Sequence, residues 1–387
     1  MHIGFLTTEY PPLPSGGIGT SMQNLARELT RLGHRITVLG WGHAVEFEDQ
    51  GVRVRFLKRA FPPRTGWLVA RLALRRELRR LVLEEGLRLV EAPDWCGLSA
   101  GLRPGCPVVL RCHGTAVYFG HLLNEAVRPT VRWAERLALA GADDVAAVSQ
   151  YTADITARLF RLSRPITVIP NGIDPERFAA ARSGEVEPNA ILYLGTLVRK
   201  KGVLDLCKAF SRVVEQFPEA RLQFVGRDVA DRCTGAASVW GLCQELLSPR
   251  ARDRVEHVGE VPSCEVPKYI RRAGLCVFPS YAEALPVSWL EVMACGKPVV
   301  AYDIGWAREV VEHGGTGLLV KRGDIEGLAE AMLRLLKDPS SGRILGESGR
   351  SRVQARFTVR TVAEASIDWY ERVLERAGCR NGKNRSH

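Results

Sequence analysis

No run in this sequence approaches the roughly 20 apolar residues needed to cross a bilayer, so a membrane-spanning segment is not expected. The first residues, MHIGFLTTEYPPLPSGG, lack the basic start and long apolar centre of a secretory leader. Ten cysteines include no C-x-x-C pair and no histidine at zinc-ligand spacing, which argues against a metal knuckle or a redox dithiol. They read as small buried hydrophobes in a reducing compartment, and the expected location is the cytoplasm, with peripheral attachment to the inner face of the plasma membrane as an extension. Aromatics are sparse at 7%, and the basic residues form no RNA-binding motif, so no nucleic-acid partner is expected despite the excess of positive charge. Acids are outnumbered, 43 against 54 Lys and Arg, and the net charge of +11 calls for an anionic partner: a nucleotide, a phosphorylated substrate or an acidic membrane.

What is present is enough core for two domains: 387 residues, 46% of them hydrophobic. Short β-rich runs alternate with longer helical patterns. HIGFLTT, RITVLG, VRVRFL, LRLVEAP, PVVLRCHG and DVAAVS punctuate the first part, with WLVARLALRRELRRLVLEEG as a helix among them. AILYLGT, RLQFVGR, VEHVGEV, GLCVFPS, PVVAYD and TGLLV punctuate the second. This is the pattern of βα units around parallel sheets. The expected division is 1–180 and 181–360, with a closing helix at 361–378 that packs back on the first domain. In open α/β sheets ligands bind at the carboxyl ends of strands, so chemistry belongs in the turns that follow them.

Four such turns carry suitable residues. In TTEYPPLPSGGIGT, Gly16 and Gly17 let the backbone approach a ligand at a helix start, where free N–H groups favour an anion, although a tight turn would use the same glycines. The loop is not a G-x-G-x-x-G fingerprint, and RITVLGWGH supplies no acid for a ribose, which argues against a nicotinamide dinucleotide. LRCHGT places His113 at a strand end, either as a donor to a sugar hydroxyl or as a capped loop histidine. LYLGTLVRKKG sets Arg199, Lys200 and Lys201 before a helix. Cations ordinarily favour the other end of a helix, so this cluster reads as a diphosphate clamp more readily than as a solvated turn. PSYAEALPVSWLEVMACG delivers Glu283 on a turn and buries Glu291 in an apolar helix. A carboxylate there needs hydrogen-bond donors, and ribose and sugar hydroxyls are suitable ones, as is a buried cation.

Taken together, SGGIGT, HG at 113–114, IPNGID at 169–174, LGTLVRKKG at 194–202, the glutamate segment at 279–300 and GGTGLLV at 314–320 resemble the family 4 retaining glycosyltransferases of GT-B fold. The resemblance covers nearly the whole chain and implies an α/β protein of two doubly wound Rossmann-like domains facing each other across a cleft. The N-terminal domain would bind the acceptor and the C-terminal domain a nucleotide-diphospho-sugar. It implies Glu283, His113 and Lys201 as catalytic, and Gly16, Gly17, Arg199, Lys200 and Glu291 as donor-binding, with Glu291 on the ribose. Thr196 stands where many members carry arginine, so Arg199 or Lys200 has to supply that charge. It further implies retention of anomeric configuration, no cofactor and no metal, in keeping with the missing Asp-x-Asp motif.

The acceptor would be a glycan or a lipid-linked molecule of cell-surface polysaccharide or glycoconjugate synthesis, with Asp94 and Trp95 offering a carboxylate and a stacking face. Residues 51–83 carry ten Lys and Arg and one acid among Phe56, Phe61, Trp67 and several leucines, the composition of an interfacial helix on anionic lipid and equally of a helix packed on a sheet. Two other functions remain on the same fold: an epimerase and a nucleotide-sugar-binding scaffold.

Overall fold

The computed structural model describes residues 1–13, 15–42, 44–58, 66–182 and 184–383. The chain forms two compact units, Met1–Gly172 together with Val359–His387, and Ile173–Thr358.

Unit 1 holds an eight-stranded sheet of β1 (His2–Leu6), β2 (Arg35–Gly42), β3 (Val45–Asp49), β4 (Val52–Lys58), β5 (Leu89–Pro93), β6 (Val108–Cys112), β7 (Asp144–Ala147) and β8 (Thr167–Val168), in the order 3-4-2-1-5-6-7-8. Every pairing is parallel except β3 with β4, a hairpin closed by Gln50 and Gly51, both at positive φ as a two-residue type I′ turn requires. Central strands are buried on both faces, and alternate residues feed two cores. Ile3, Phe5, Ile36, Val38 and Val109 face the helix Gly17–Arg31 and the closing helix Val359–Lys383. Leu6, Leu39, Val90, Leu110 and Val145 face the helices Gly66–Glu85, Pro129–Gly141 and Gln150–Phe160.

Unit 2 holds β9 (Glu187–Leu194), β10 (Arg221–Val225), β11 (Val255–Gly259), β12 (Ala273–Phe278), β13 (Val299–Asp303) and β14 (Gly317–Lys321), all parallel, in the order 11-10-9-12-13-14. In both sheets the chain starts in the middle, winds outward to one side, then returns and winds to the other. The reversals fall between β1 and β5 and between β9 and β12, the places where such sheets open a crevice at their carboxyl ends. Among the described residues no helix is long and apolar enough to cross a membrane.

Candidate functional site

In unit 2 the loops leaving β9 and β12 interlock at the reversal point. After Leu194 the backbone turns through Gly195, and Arg199–Lys201 form one tight helical turn before the helix Val203–Gln216. Gly202 joins the two at φ +70°, and a Cβ there would lie 1.8 Å from the carbonyl oxygen of Pro279, so only glycine lets the two loops meet. The Tyr281 amide donates to the Lys200 carbonyl at 2.7 Å. The Tyr281 and Tyr302 hydroxyls both donate to the Asp205 carboxylate in the first turn of that helix. These bonds fix the Pro279–Glu283 loop against the basic turn.

Lys201 Nζ consequently stands 3.8 Å from Glu283 Oε1. Glu283 is buried, and its carbonyl accepts from Trp306 Nε1 at 2.9 Å. Arg199 is turned to the side, with Nε on Asp231 Oδ1 at 2.8 Å, and this contact holds the Asp231 carboxyl well below the usual range. Glu291 lies on the short helix Val287–Ala294, whose apolar side is anchored by Trp289 between Phe278 and Trp306. The residue keeps partial exposure, yet its carboxyl sits among dense protein; burial pushes its pKa up to about 7, while Arg177 and then Lys201 pull it down. Arg177 was not among the residues expected from sequence. It lies in PERF directly after the IPNGID motif, donates to the Ser263 carbonyl, and is the first cation acting on Glu291. Lys201, Glu283 and Glu291 are thus brought into one neighbourhood, whereas Arg199 is engaged elsewhere.

In unit 1 the loops after β1, β5 and β6 hold the remaining candidates. Gly16 and Gly17 stand at the start of the helix Gly17–Arg31, as a ligand-binding loop requires, but an anion from the protein already occupies the turn. The Glu9 carboxylate accepts from the Gly16 amide at 2.9 Å and from the Gly19 amide at 2.8 Å. Nothing in the glycine spacing pointed to Glu9. Gly17 remains open, with nothing within 4 Å of where a Cβ would stand.

His113 directly follows β6, and its imidazole makes no hydrogen bond to any described residue. Burial, with Arg111 adding to it, lowers its pKa to about 3, so the ring is neutral near pH 7 and can donate or accept. Asp94 departs from its expected role. It is fully buried, and its two oxygens accept from the His113 amide at 2.9 Å and the Gly114 amide at 3.2 Å. Burial raises its pKa to about 7. Its carboxyl therefore shapes the histidine loop and offers no surface to an acceptor. Glu135 does the same for the next turn, accepting from the amides of Cys96, Ala116 and Val117. Trp95 is 41% exposed and does present an aromatic face, edge-on to Phe119.

The 51–83 stretch divides. Phe56 points into the core of unit 1, Arg53, Arg55 and Arg80 pair with Glu46, Glu77, Glu84 and Glu85, and Arg75, Arg76 and Arg79 are exposed on the helix Gly66–Glu85. Phe61 and the Trp67 side chain lie outside the described residues.

Two family models tile this chain: Glycosyltransferase Family 4 over residues 15–177, and Glycosyl transferases group 1 over residues 176–352. The chain belongs to the family 4 glycosyltransferases. This glycosyltransferase is 28% identical over 404 residues to a glycogen synthase of Mycobacterium tuberculosis, covering 96% of the chain and 94% of the relative. It is 29% identical to the alpha-maltose-1-phosphate synthase of Mycolicibacterium smegmatis, covering 96% of the chain and 100% of the relative. With the GDP-mannose-dependent alpha-(1-6)-phosphatidylinositol monomannoside mannosyltransferase of the same organism it shares 28% identity, covering 89% and 92%. Among solved structures, sucrose-phosphate synthase from Thermosynechococcus elongatus superposes with a TM-score of 0.80 at 24% identity, covering 97% of the chain and 99% of that protein. Anabaena HepE in complex with UDP and glucose gives 0.77 at 20% identity, covering 96% and 99%. The glycosyltransferase has the GT-B fold, two Rossmann-like parallel-sheet domains, and its reaction is glycosyl transfer.

Proposed function

We propose that this glycosyltransferase moves a hexose from a nucleoside-diphosphate sugar to a glycan or lipid-linked acceptor, with retention of configuration and without a metal. The observation that carries the donor assignment is the convergence of Lys201, Glu283 and Glu291 at the sheet reversal of unit 2. Glu291 accepts from the ribose hydroxyls and Glu283 from a sugar hydroxyl. Lys201, with Lys200 or Arg199, meets the diphosphate. As the bond from the anomeric carbon to the phosphate oxygen breaks, negative charge gathers on the leaving diphosphate and positive charge on the sugar; a fixed ammonium there stabilises the transition state more than the ground state. The acceptor oxygen bonds to the anomeric carbon on the same face, and its proton passes to the leaving phosphate oxygen. The neutral imidazole of His113 serves a substrate hydroxyl, and Trp95 a sugar face. HepE was crystallised with UDP and glucose, and other relatives are named for glucan synthesis and for a phosphatidylinositol mannoside, which supports a nucleotide donor and a polysaccharide or lipid-linked acceptor. The exposed arginines of the helix Gly66–Glu85 would hold the enzyme on an anionic surface.

A panel of nucleotide sugars tests this in the presence of a chelator, reading the melting temperature and slow donor hydrolysis of wild type, Lys201→Ala and Glu291→Ala. One donor should stabilise the wild type and be hydrolysed by it, with a loss of about 100-fold in hydrolysis for Lys201→Ala, typical of removing one transition-state charge contact. No stabilising donor, or binding that survives both substitutions, overturns the assignment. Loss of turnover in chelator that returns with a divalent cation overturns metal independence.

A further inference from the structure

Away from the loops described above, unit 1 contains a cavity of about 440 Å³ between the helix Ala116–Leu123, the helix Pro129–Gly141 and the end of the helix Gln150–Phe160. Val117, Leu159 and Phe160 form its apolar floor, and Arg132, Arg136 and Arg161 line its rim with His121 and a single acid, Glu125. The three guanidinium groups are exposed, and none makes a hydrogen bond or ion pair to a described residue. Arg161 and His121 sit at helix C-termini, where a cation is favoured for local reasons. Arg132 and Arg136 have no such reason. Arg132 stands near the start of its helix, where the dipole disfavours a cation and no acid in the first turn compensates it.

The same helix carries a second feature. Trp133 and Leu137, on the ridge beside Arg132 and Arg136, are 59% and 37% exposed. The one acid in this helix, Glu135, is turned fully inward to the amides of Cys96, Ala116 and Val117, so the outer face has no negative charge. A basic cavity beside an uncovered tryptophan and leucine has the composition of an interfacial contact. The arginine forks match phosphate oxygens, and the indole belongs at the level of lipid headgroups.

We propose that the Arg132–Arg136–Arg161 cavity binds the phosphate of an anionic lipid headgroup while Trp133 and Leu137 enter the interface. The site extends the membrane reading given above but uses none of residues 51–83, and it is independent of the donor assignment.

The test is co-sedimentation of the full chain with vesicles of phosphatidylcholine alone and of phosphatidylcholine mixed with phosphatidylglycerol. Proteins compared are wild type, Arg132→Gln/Arg136→Gln/Arg161→Gln, Trp133→Ser and, for the other helix, Arg75→Gln/Arg76→Gln/Arg79→Gln. Circular dichroism melts show whether each variant is folded without reference to any donor, and donor hydrolysis without vesicles keeps failure here separate from failure of the donor assignment. With about a five-fold loss of partitioning for each cation removed near an anionic surface, the cavity triple should bind mixed vesicles about 100-fold more weakly. Trp133→Ser should weaken binding to both vesicle types. The proposal is overturned if the cavity triple binds mixed vesicles as well as wild type, or if only the Arg75, Arg76 and Arg79 variant loses binding. It is likewise overturned in favour of a soluble ligand if glycerol 3-phosphate stabilises wild type through the three arginines while vesicles do not distinguish wild type from the triple.

Discussion

Glu291 is held where a charge is expensive. An ordinary glutamate titrates near 4.5, and burial raises this one to about 7. Below 4.5 folded and unfolded chains both hold the proton and the site costs nothing; as pH rises to 7 the unfolded chain releases its proton while the folded chain retains it, and stability is lost. Glu291→Gln should therefore melt with wild type at pH 4 and above it at pH 8, by on the order of 3 kcal/mol for a rise of about 2.5 units at about 1.4 kcal/mol per pKa unit. Thermal melts across this range check it, and an equal gain at every pH would refute the electrostatic origin. Donor binding should run the other way, tightening in the wild type as the carboxyl ionises. At this scale the sequence is legible for residues whose type is unusual for its setting, such as a glutamate in an apolar helix. It is not legible for Glu9, Asp94 and Glu135, whose partners are backbone amides that share no pattern with them.

At the scale of elements, apolar runs ending in Gly, Pro or Thr locate the buried parallel strands because both faces must be apolar. β3 escapes that signal. Its VEFED sequence is an edge strand alternating between half-buried and exposed, and its acids meet Arg27, Arg53 and Arg55. The closing helix is the better test of element energetics. Arg111 on β6 forms a buried pair with Glu91 on β5, and Tyr370 and Ser366 of the helix complete it, with Tyr370 donating to Glu91 at 2.6 Å. Arg111→Met leaves Glu91 buried without its cation and should cost about 3–5 kcal/mol. Tyr370→Phe keeps the pair and should cost about 1.5–3 kcal/mol. Urea denaturation of the two variants checks the order, and a larger effect for Tyr370→Phe would show that the helix contributes more than the pair.

For the whole molecule the two units differ in kind. Unit 2 is one uninterrupted stretch, Ile173–Thr358, whereas unit 1 takes its sheet from the first 172 residues and a core helix from the last part of the chain. Trp369 and Tyr370 of that helix are wholly buried in the unit 1 core. A fragment of residues 173–358 should unfold cooperatively by itself, and a fragment of residues 1–172 should not until the 359–387 peptide is added. Circular dichroism melts of the fragments, alone and mixed, decide this; a cooperative transition in 1–172 alone would contradict it.

The discontinuity also sets a timetable. On a ribosome adding roughly 5–20 residues per second, the first unit waits roughly ten to forty seconds for its last helix, with the face of β1, β5 and β6 still uncovered. The half of the protein that is translated first is therefore completed last, after unit 2 has already closed. Any early protection of the nascent chain has to be directed at that exposed sheet face.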